Sequence, residues 1–199
     1  MKKKLLYLGW LIYRDIVYSG LEGVVSKEQR KKIQRLNQFV ILALLLNFLS
    51  VISYFYHGLY ISALINITSA YFCLLAYYFN AKKWTELARI VAVINVNLYL
   101  IIICYIEGSR SGDYLFYFPY LLALTFVVSI RRDFKELLLV YSITIFSALV
   151  CVKISPYMND VQAITEIMYN RLYASNLIIS LAMTLIFSYA IVRINKENE

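Results

Sequence analysis

The stretch "EGSRSGDYLFYFPY", residues 107–120, concentrates the residue types that most readily do chemistry in this chain. It carries two carboxylates, Glu107 and Asp113, one guanidinium, Arg110, and five aromatic rings. Such a mixture suits an enzyme active site, the mouth of a ligand pocket, or the end of a membrane helix with its interfacial aromatic residues. The rest of the sequence decides among these three interpretations.

Catalytic motifs do not accompany this stretch. The one histidine, His57, falls at the end of an apolar run, and no zinc-protease motif, nucleophile elbow or glycine-rich phosphate loop occurs. Glu107 and Asp113 are expected outside the membrane core, and no other carboxylate falls inside an apolar run, which argues against a proton-coupled transporter. The sequence therefore predicts no catalytic residue, no metal site, no cofactor and no enzyme activity.

Composition points to a membrane protein. Hydrophobic residues make up 61% of the chain and charged residues only 16%, whereas soluble domains are close to half apolar. The formal net charge is +8, but no nucleic-acid-binding module is present, so we expect no nucleic-acid partner. The three cysteines lie in apolar runs and are expected to be buried packing residues without a disulfide.

Six apolar stretches approach the ~20 residues that a helix needs to cross a bilayer. The predicted fold class is therefore an all-α integral membrane protein with six transmembrane helices. Lysine and arginine gather on the cytoplasmic side of membrane proteins. Alternating links place all but Arg110, Lys153 and Arg171 on one side, which predicts that both termini are cytoplasmic. The predicted spans are 37–56, 59–79, 87–106, 114–130, 137–154 and 172–192.

Segments outside the spans complete the predicted domain organisation. Residues 1–36 are read as a cytoplasmic interfacial amphipathic helix with a basic lead-in, residues 37–193 as the six-helix domain, and residues 194–199 as a cytoplasmic tail that starts a possible signalling helix. The basic lead-in either sets the orientation or also contacts anionic lipid headgroups. Its residues are Lys27, Arg30, Lys31, Lys32 and Arg35.

Polar residues inside the predicted spans are amides and hydroxyls rather than charges. Such groups either hydrogen-bond between helices or line a polar pocket for an uncharged or amphipathic ligand. Asn95 and Asn97 are two residues apart and cannot share a helix face, so at most one of them faces any single pocket. The intramembrane amides are Asn47, Asn66, Asn95, Asn97 and Asn176.

The predicted topology turns residues 107–120 into an outer link that leads into the fourth span. Asp113 is placed to cap the following helix, and Pro119 lacks the N–H that a helix interior requires, so we predict a kinked or irregular helix end. Interfacial aromatic packing explains much of the stretch. The alternative is a sensory mouth, whose candidate ligand-binding residues are Arg110, Asp113, Tyr114, Tyr117 and Pro119.

Three patches resemble a family of bacterial six-helix sensor domains, found especially in Bacteroidetes: "SKEQRKKIQRLNQFVILALL", "EGSRSGDYLFYFPYLLALTFV" and "NVNLYLIIICYIEG". In that family the membrane domain precedes a histidine kinase, a nucleotide cyclase or a LytTR-type regulator. The resemblance implies a multi-pass protein of the bacterial inner membrane, with the lipid bilayer, a cytoplasmic output domain or signalling partner, and a homodimer as expected partners. The chain departs from the pattern after "IVRINKENE", where family members continue into an output domain.

The expected function is a sensory or anchoring module that passes a signal from outer loops or the lipid phase through the sixth helix. The alternative is a small standalone channel, transporter or membrane effector with an amide-lined interior.

Overall fold

The structure, a computed structural model, describes residues 11, 13–24, 26–127, 134–154 and 161–196. All regular elements in these ranges are helical, as the sequence predicts. The predicted N-terminal amphipathic helix falls partly on residues 1–10, and the predicted tail partly on residues 197–199, which lie outside the described ranges. The main helices are α1 (Lys27–Tyr56), α2 (Tyr60–Ala81), α3 (Thr85–Glu107), α4 (Tyr117–Val127), α5 (Phe134–Ile154) and α6 (Glu166–Lys196).

Two tight links fold the first three helices into an antiparallel layer. Helix α1 begins after Ser26, whose hydroxyl accepts a hydrogen bond from the Gln29 N–H, and it turns into α2 at Gly58, where φ is 73°. Only residues 82–84 separate α2 from α3. Links this short leave no room for a crossover, so α1 packs on α2 and α2 packs on α3.

The link from α3 to α4 is built from two 3-10 turns, Ser109–Ser111 and Asp113–Phe116, separated by Gly112 in the left-handed region. Helix α4 begins only at Tyr117, which puts Pro119 in its first turn, where a missing N–H breaks no helical bond. The predicted irregular helix end is therefore confirmed. The eleven described residues of α4 cover about 16 Å, and residues 128–133, which follow them, lie outside the described ranges.

The other five helices are long and apolar enough to cross a membrane. The fold is that of a helical multi-pass membrane protein. Helix α5 packs on α3 and α4, while α6 packs on α4 and on the two 3-10 turns. We call one end of the bundle the basic end, because the described lysines and arginines concentrate there. It is formed by the start of α1, the α2–α3 link, the start of α5 and the end of α6.

A buried asparagine pair fixes the basic end. Asn80 donates hydrogen bonds to the Ile33 carbonyl at 2.9 Å and to Asn37 Oδ1 at 2.8 Å. Asn37 in turn donates to the carbonyl oxygens of Val17 at 3.0 Å and Ser19 at 3.1 Å. Both amides are fully buried. Residues 13–24 are thereby attached to α1 and α2.

Two further contacts join α3 to α5. Near the basic end, the buried Arg89 guanidinium pairs with Glu86 and with Glu136 on α5, the latter at 2.6 Å. Towards the other end, Cys104 and Cys151 form a disulfide, with their Cα atoms 6.0 Å apart. The expectation of three unpaired cysteines was wrong for this pair, because spacing along the chain does not reveal which positions antiparallel packing brings together.

Candidate functional site

A cavity of about 330 Å³ separates α1 from α6. Helices α2 and α3 and the start of α4 form its remaining walls. One face of α6 lines the cavity over about 28 Å at 1.5 Å per residue. The residues recur every three or four positions and include Met168, Leu172, Ser175, Ile179, Met183 and Phe187. This volume falls within the range typical of small-molecule pockets.

Polar groups collect at the end of the cavity that faces the α3–α4 link. Asp113 lines this end and is only 1% exposed. Its carboxyl accepts a hydrogen bond from Ser111 Oγ at 2.6 Å and one from Asn176 Nδ2 at 3.0 Å. Burial raises the pKa of Asp113 above its usual value, while polar contacts with Ser111, Glu107 and Asn176 partly oppose that shift.

A second carboxyl lies behind the first. Glu107, the last residue of α3, is fully buried. Its carboxyl interacts with Asp113, Ser62 and Tyr54. None of these contacts reaches full hydrogen-bond geometry, so neither carboxyl oxygen has a hydrogen-bond partner among the described residues. Of these contacts, Tyr54 and Asp113 line the cavity, whereas Glu107 does not and lies behind Asp113.

The placement of these two carboxyls corrects the sequence-based expectation. Glu107 and Asp113 were expected at the exposed outer surface, with Asp113 beside Arg110 at the rim of a mouth. The α3–α4 link instead folds back over the bundle, and α6 covers it through Asn176, which donates to the Ser111 carbonyl at 2.9 Å. A linear sequence places both residues in a polar loop and does not show what packs over that loop.

Arg110 does not belong to the buried cluster. Its guanidinium is exposed, pairs with Glu166 at the start of α6, and lies 5.0 Å from the centre of the Tyr169 ring. The hydrogen bond to Glu166 raises the pKa of Arg110. Arg110 therefore joins the α3–α4 link to α6 at the surface.

The aromatic and proline candidates divide between the cavity and the packed core. Pro119 lines the cavity beside Phe116. Tyr117 is 4% exposed within the hydrophobic core, and Tyr114 packs against the same core. Of the five residues proposed from sequence, Asp113 and Pro119 reach the cavity.

The five intramembrane amides also separate into two groups. Asn47, Asn66 and Asn176 line the cavity. Asn95 donates to Ser69 and Asn97 donates to Tyr120 and Thr144, so these two join neighbouring helices instead. Neither Asn95 nor Asn97 lines this cavity, so the statement that at most one of them faces any single pocket stays a prediction.

The basic lead-in forms the first turns of α1 at the basic end, far along that helix from the polar end of the cavity. Contact with lipid headgroups stays a prediction. Its residues Lys27, Arg30 and Lys31 are exposed, and Lys32 and Arg35 are partly buried.

Sequence reasoning missed the role of Glu107 and the cavity face of α6. The sequence does contain a pattern for the cavity face of α6, because the residues of that face recur at helical spacing along the sixth apolar stretch. A stripe of this kind, however, equally describes packing against a neighbouring helix. No protein-family model, curated protein or solved structure matches this chain.

Proposed function

We propose that this chain is a membrane-embedded sensory module. In this proposal the cavity between α1 and α6 receives an amphipathic signal molecule, and α6 carries the response towards the basic end. The observation that carries the proposal is the course of α6. One uninterrupted helix, Glu166–Lys196, contacts the buried polar cluster, lines the cavity, and continues to the basic end.

The attachments of α6 explain how occupancy would become movement. Asn176 and Ser180 hold its first half to the α3–α4 link, with Ser180 Oγ donating to the Leu115 carbonyl at 2.8 Å. On its other side the cavity separates α6 from α1. A molecule that contacts both walls changes the preferred distance between these helices, and packed helices respond by shifts of about 1–2 Å.

The finer parts of the proposal follow the charge pattern and the resemblance to bacterial sensor domains. The basic end would be cytoplasmic, in a six-span protein of the bacterial inner membrane. Helix α4 would belong to the remaining span, predicted from the sequence as residues 114–130. The end of α6 would act on a cytoplasmic output domain or partner, and paired output domains favour a homodimer.

Conduction is the competing function. The wall of the cavity towards the basic end favours sensing over conduction, because it is aromatic. Phe39 lies 6.5 Å from Phe187 and 6.4 Å from Tyr120, measured between ring centres. A polar solute entering from the Asp113 side meets these rings rather than a continuous row of polar groups.

The test adds a bulky side chain to the cavity wall and measures the position of α6. Both Ser175 and Ala174 are exposed, but only Ser175 lines the cavity, so Ser175→Phe adds a ring to the cavity wall and Ala174→Phe adds the same ring beside it. Spin labels at Ile90→Cys on α3 and Val192→Cys on α6, both about half exposed, report the distance near the basic end by double electron–electron resonance in nanodiscs. The buried Cys73 is replaced by alanine in every sample.

We expect Ser175→Phe to shift the distance by about 1–2 Å and Ala174→Phe to leave it unchanged. Equal distance distributions for both variants would remove the basis for signalling through α6. Ion or solute flux through liposomes containing the unmodified chain would favour the conducting function instead.

A further inference from the structure

The buried carboxyl pair raises a question that signalling through α6 does not answer. Glu107 and Asp113 interact with each other and are 0% and 1% exposed. Two carboxylates cannot both stay charged side by side in a low-dielectric site without a positive partner. Either a proton or a cation from outside the chain must therefore balance them.

Among the described residues, the side chains that act on the two carboxyls carry no positive charge. The groups that act on Glu107 and Asp113 are neutral and come from α1, α2, the first 3-10 turn and α6. Arg110, the nearest cation in sequence, pairs with Glu166 at the surface. No cluster of three possible metal ligands occurs among the described residues, which disfavours a metal ion here. The neutral neighbours are Tyr54, Ser62, Ser111 and Asn176, and Tyr99 of α3 lies close enough for both carboxyls to act on it.

The carboxyl oxygens that lack a hydrogen-bond donor indicate which chemical group a ligand of this site would carry. Both oxygens of Glu107 are acceptors without a partner among the described residues, and Asp113 next to them lines the cavity. An ammonium group carries three donors and no acceptor, so it suits a cluster of acceptors better than a hydroxyl does. The rest of the cavity is mostly apolar, with Leu46, Leu100 and Phe187 in its walls.

We propose that Asp113, with Glu107 behind it, binds the ammonium head of a single-chain amphiphilic amine, whose alkyl chain occupies the cavity between α1 and α6. This inference rests on the proposed function, because it names the ligand class for the same cavity. In the empty protein the pair keeps a shared proton. Binding of the ammonium releases that proton to the medium, so the net charge of the site is the same in both states.

Arg171 also lines the cavity, and its charge opposes that of an amine. Its side chain is exposed, whereas Asp113 is buried. At equal distance, a charge in water acts about four times more weakly than one at a partly shielded protein site. Attraction to the buried pair therefore exceeds repulsion by Arg171.

The experiment measures binding of radiolabelled dodecylamine to the full chain in phosphatidylcholine nanodiscs, with dodecanol as the neutral probe of equal chain length. We expect Asp113→Asn and Glu107→Gln each to weaken dodecylamine binding by at least about 10-fold while dodecanol binding changes by less than about 2-fold. Glu166→Gln, which removes a carboxylate at the same end but outside the cavity, is the control and should leave both probes unaffected.

A second readout on the unmodified chain remains informative if the variants do not fold. In weakly buffered medium, dodecylamine binding should release protons and dodecanol binding should release none. Phosphatidylethanolamine in the nanodiscs should compete with dodecylamine if the natural amine is a lipid headgroup, and should not compete if it is a free amine. Equal binding of dodecylamine and dodecanol, or dodecylamine binding without proton release, would overturn the proposal. Either result would still leave α6 signalling intact, because the Ser175→Phe measurement needs no ligand.

Discussion

Asn176→Ala tests whether the buried polar cluster holds α6 in place. The substitution removes two hydrogen bonds, to the Ser111 carbonyl at 2.9 Å and to Asp113 Oδ1 at 3.0 Å. Side-chain hydrogen bonds between helices in membrane proteins average ~0.6 kcal/mol and reach ~1.7 kcal/mol, so two of them give a range of about 1.2–3.4 kcal/mol. Both acceptors stay behind in a buried site without their donor, which favours the upper half of that range.

We therefore expect Asn176→Ala to lower the free energy of unfolding by about 2–3 kcal/mol. The measurement is reversible unfolding in mixed micelles, with Asn170→Ala as the control. Asn170 lies on the same helix, is exposed, and is expected to change stability by less than about 0.5 kcal/mol. A double-mutant cycle with Asp113→Asn then isolates the energy of the Asn176–Asp113 contact. If Asn176→Ala and Asn170→Ala proved equally mild, the cluster would not anchor α6.

Three further substitutions test the fold and the electrostatics, each by the change in the free energy of unfolding. Gly112→Ala should lower the free energy of unfolding by about 1–3 kcal/mol, and by more than Gly58→Ala does. Both glycines have positive φ, but only at Gly112 would the new methyl group lie 2.9 Å from a Tyr173 ring carbon. Equal losses for the two variants would show that the Tyr173 contact relaxes freely. Asn80→Ala should cost about 1–3 kcal/mol through the loss of its two buried hydrogen bonds, and an unchanged stability would contradict their role at the basic end. Folding raises the pKa of Asp113, so the folded state holds a proton that the unfolded state loses above pH 3.8. The free energy of unfolding should therefore fall as the pH rises beyond that value. Asp113→Asn removes the titrating group and should flatten this pH dependence. A steeper dependence in Asp113→Asn would contradict that assignment.

Sequence reasoning predicted the features that depend on local pattern. Apolar run length predicted long membrane-crossing helices, and Pro119 predicted an irregular helix start, because both follow from backbone hydrogen bonding within a few residues. The count of six spans stays a prediction, since α4 reaches only Val127 within the described residues. Asparagines inside apolar runs were correctly singled out as polar groups that need partners, although the sequence did not assign the partners.

The features that sequence reasoning did not predict depend on contacts between distant segments. Asp113 is buried because Asn176, on another helix, covers it. Cys104 pairs with Cys151 because α3 and α5 pack side by side. The cavity exists because α6 is held by α4 and the α3–α4 link instead of closing against α1. No periodicity within one segment specifies such arrangements.

The central claim is that an amphiphile in the cavity moves α6. The most direct measurement is the distance between spin labels at Ile90→Cys and Val192→Cys in nanodiscs, with and without saturating dodecylamine. The account predicts a shift of about 1–2 Å in the same direction as the shift caused by Ser175→Phe, and a smaller further shift in Ser175→Phe itself, whose added ring already occupies part of the cavity. A distance that stays constant although dodecylamine is bound in the cavity would contradict it.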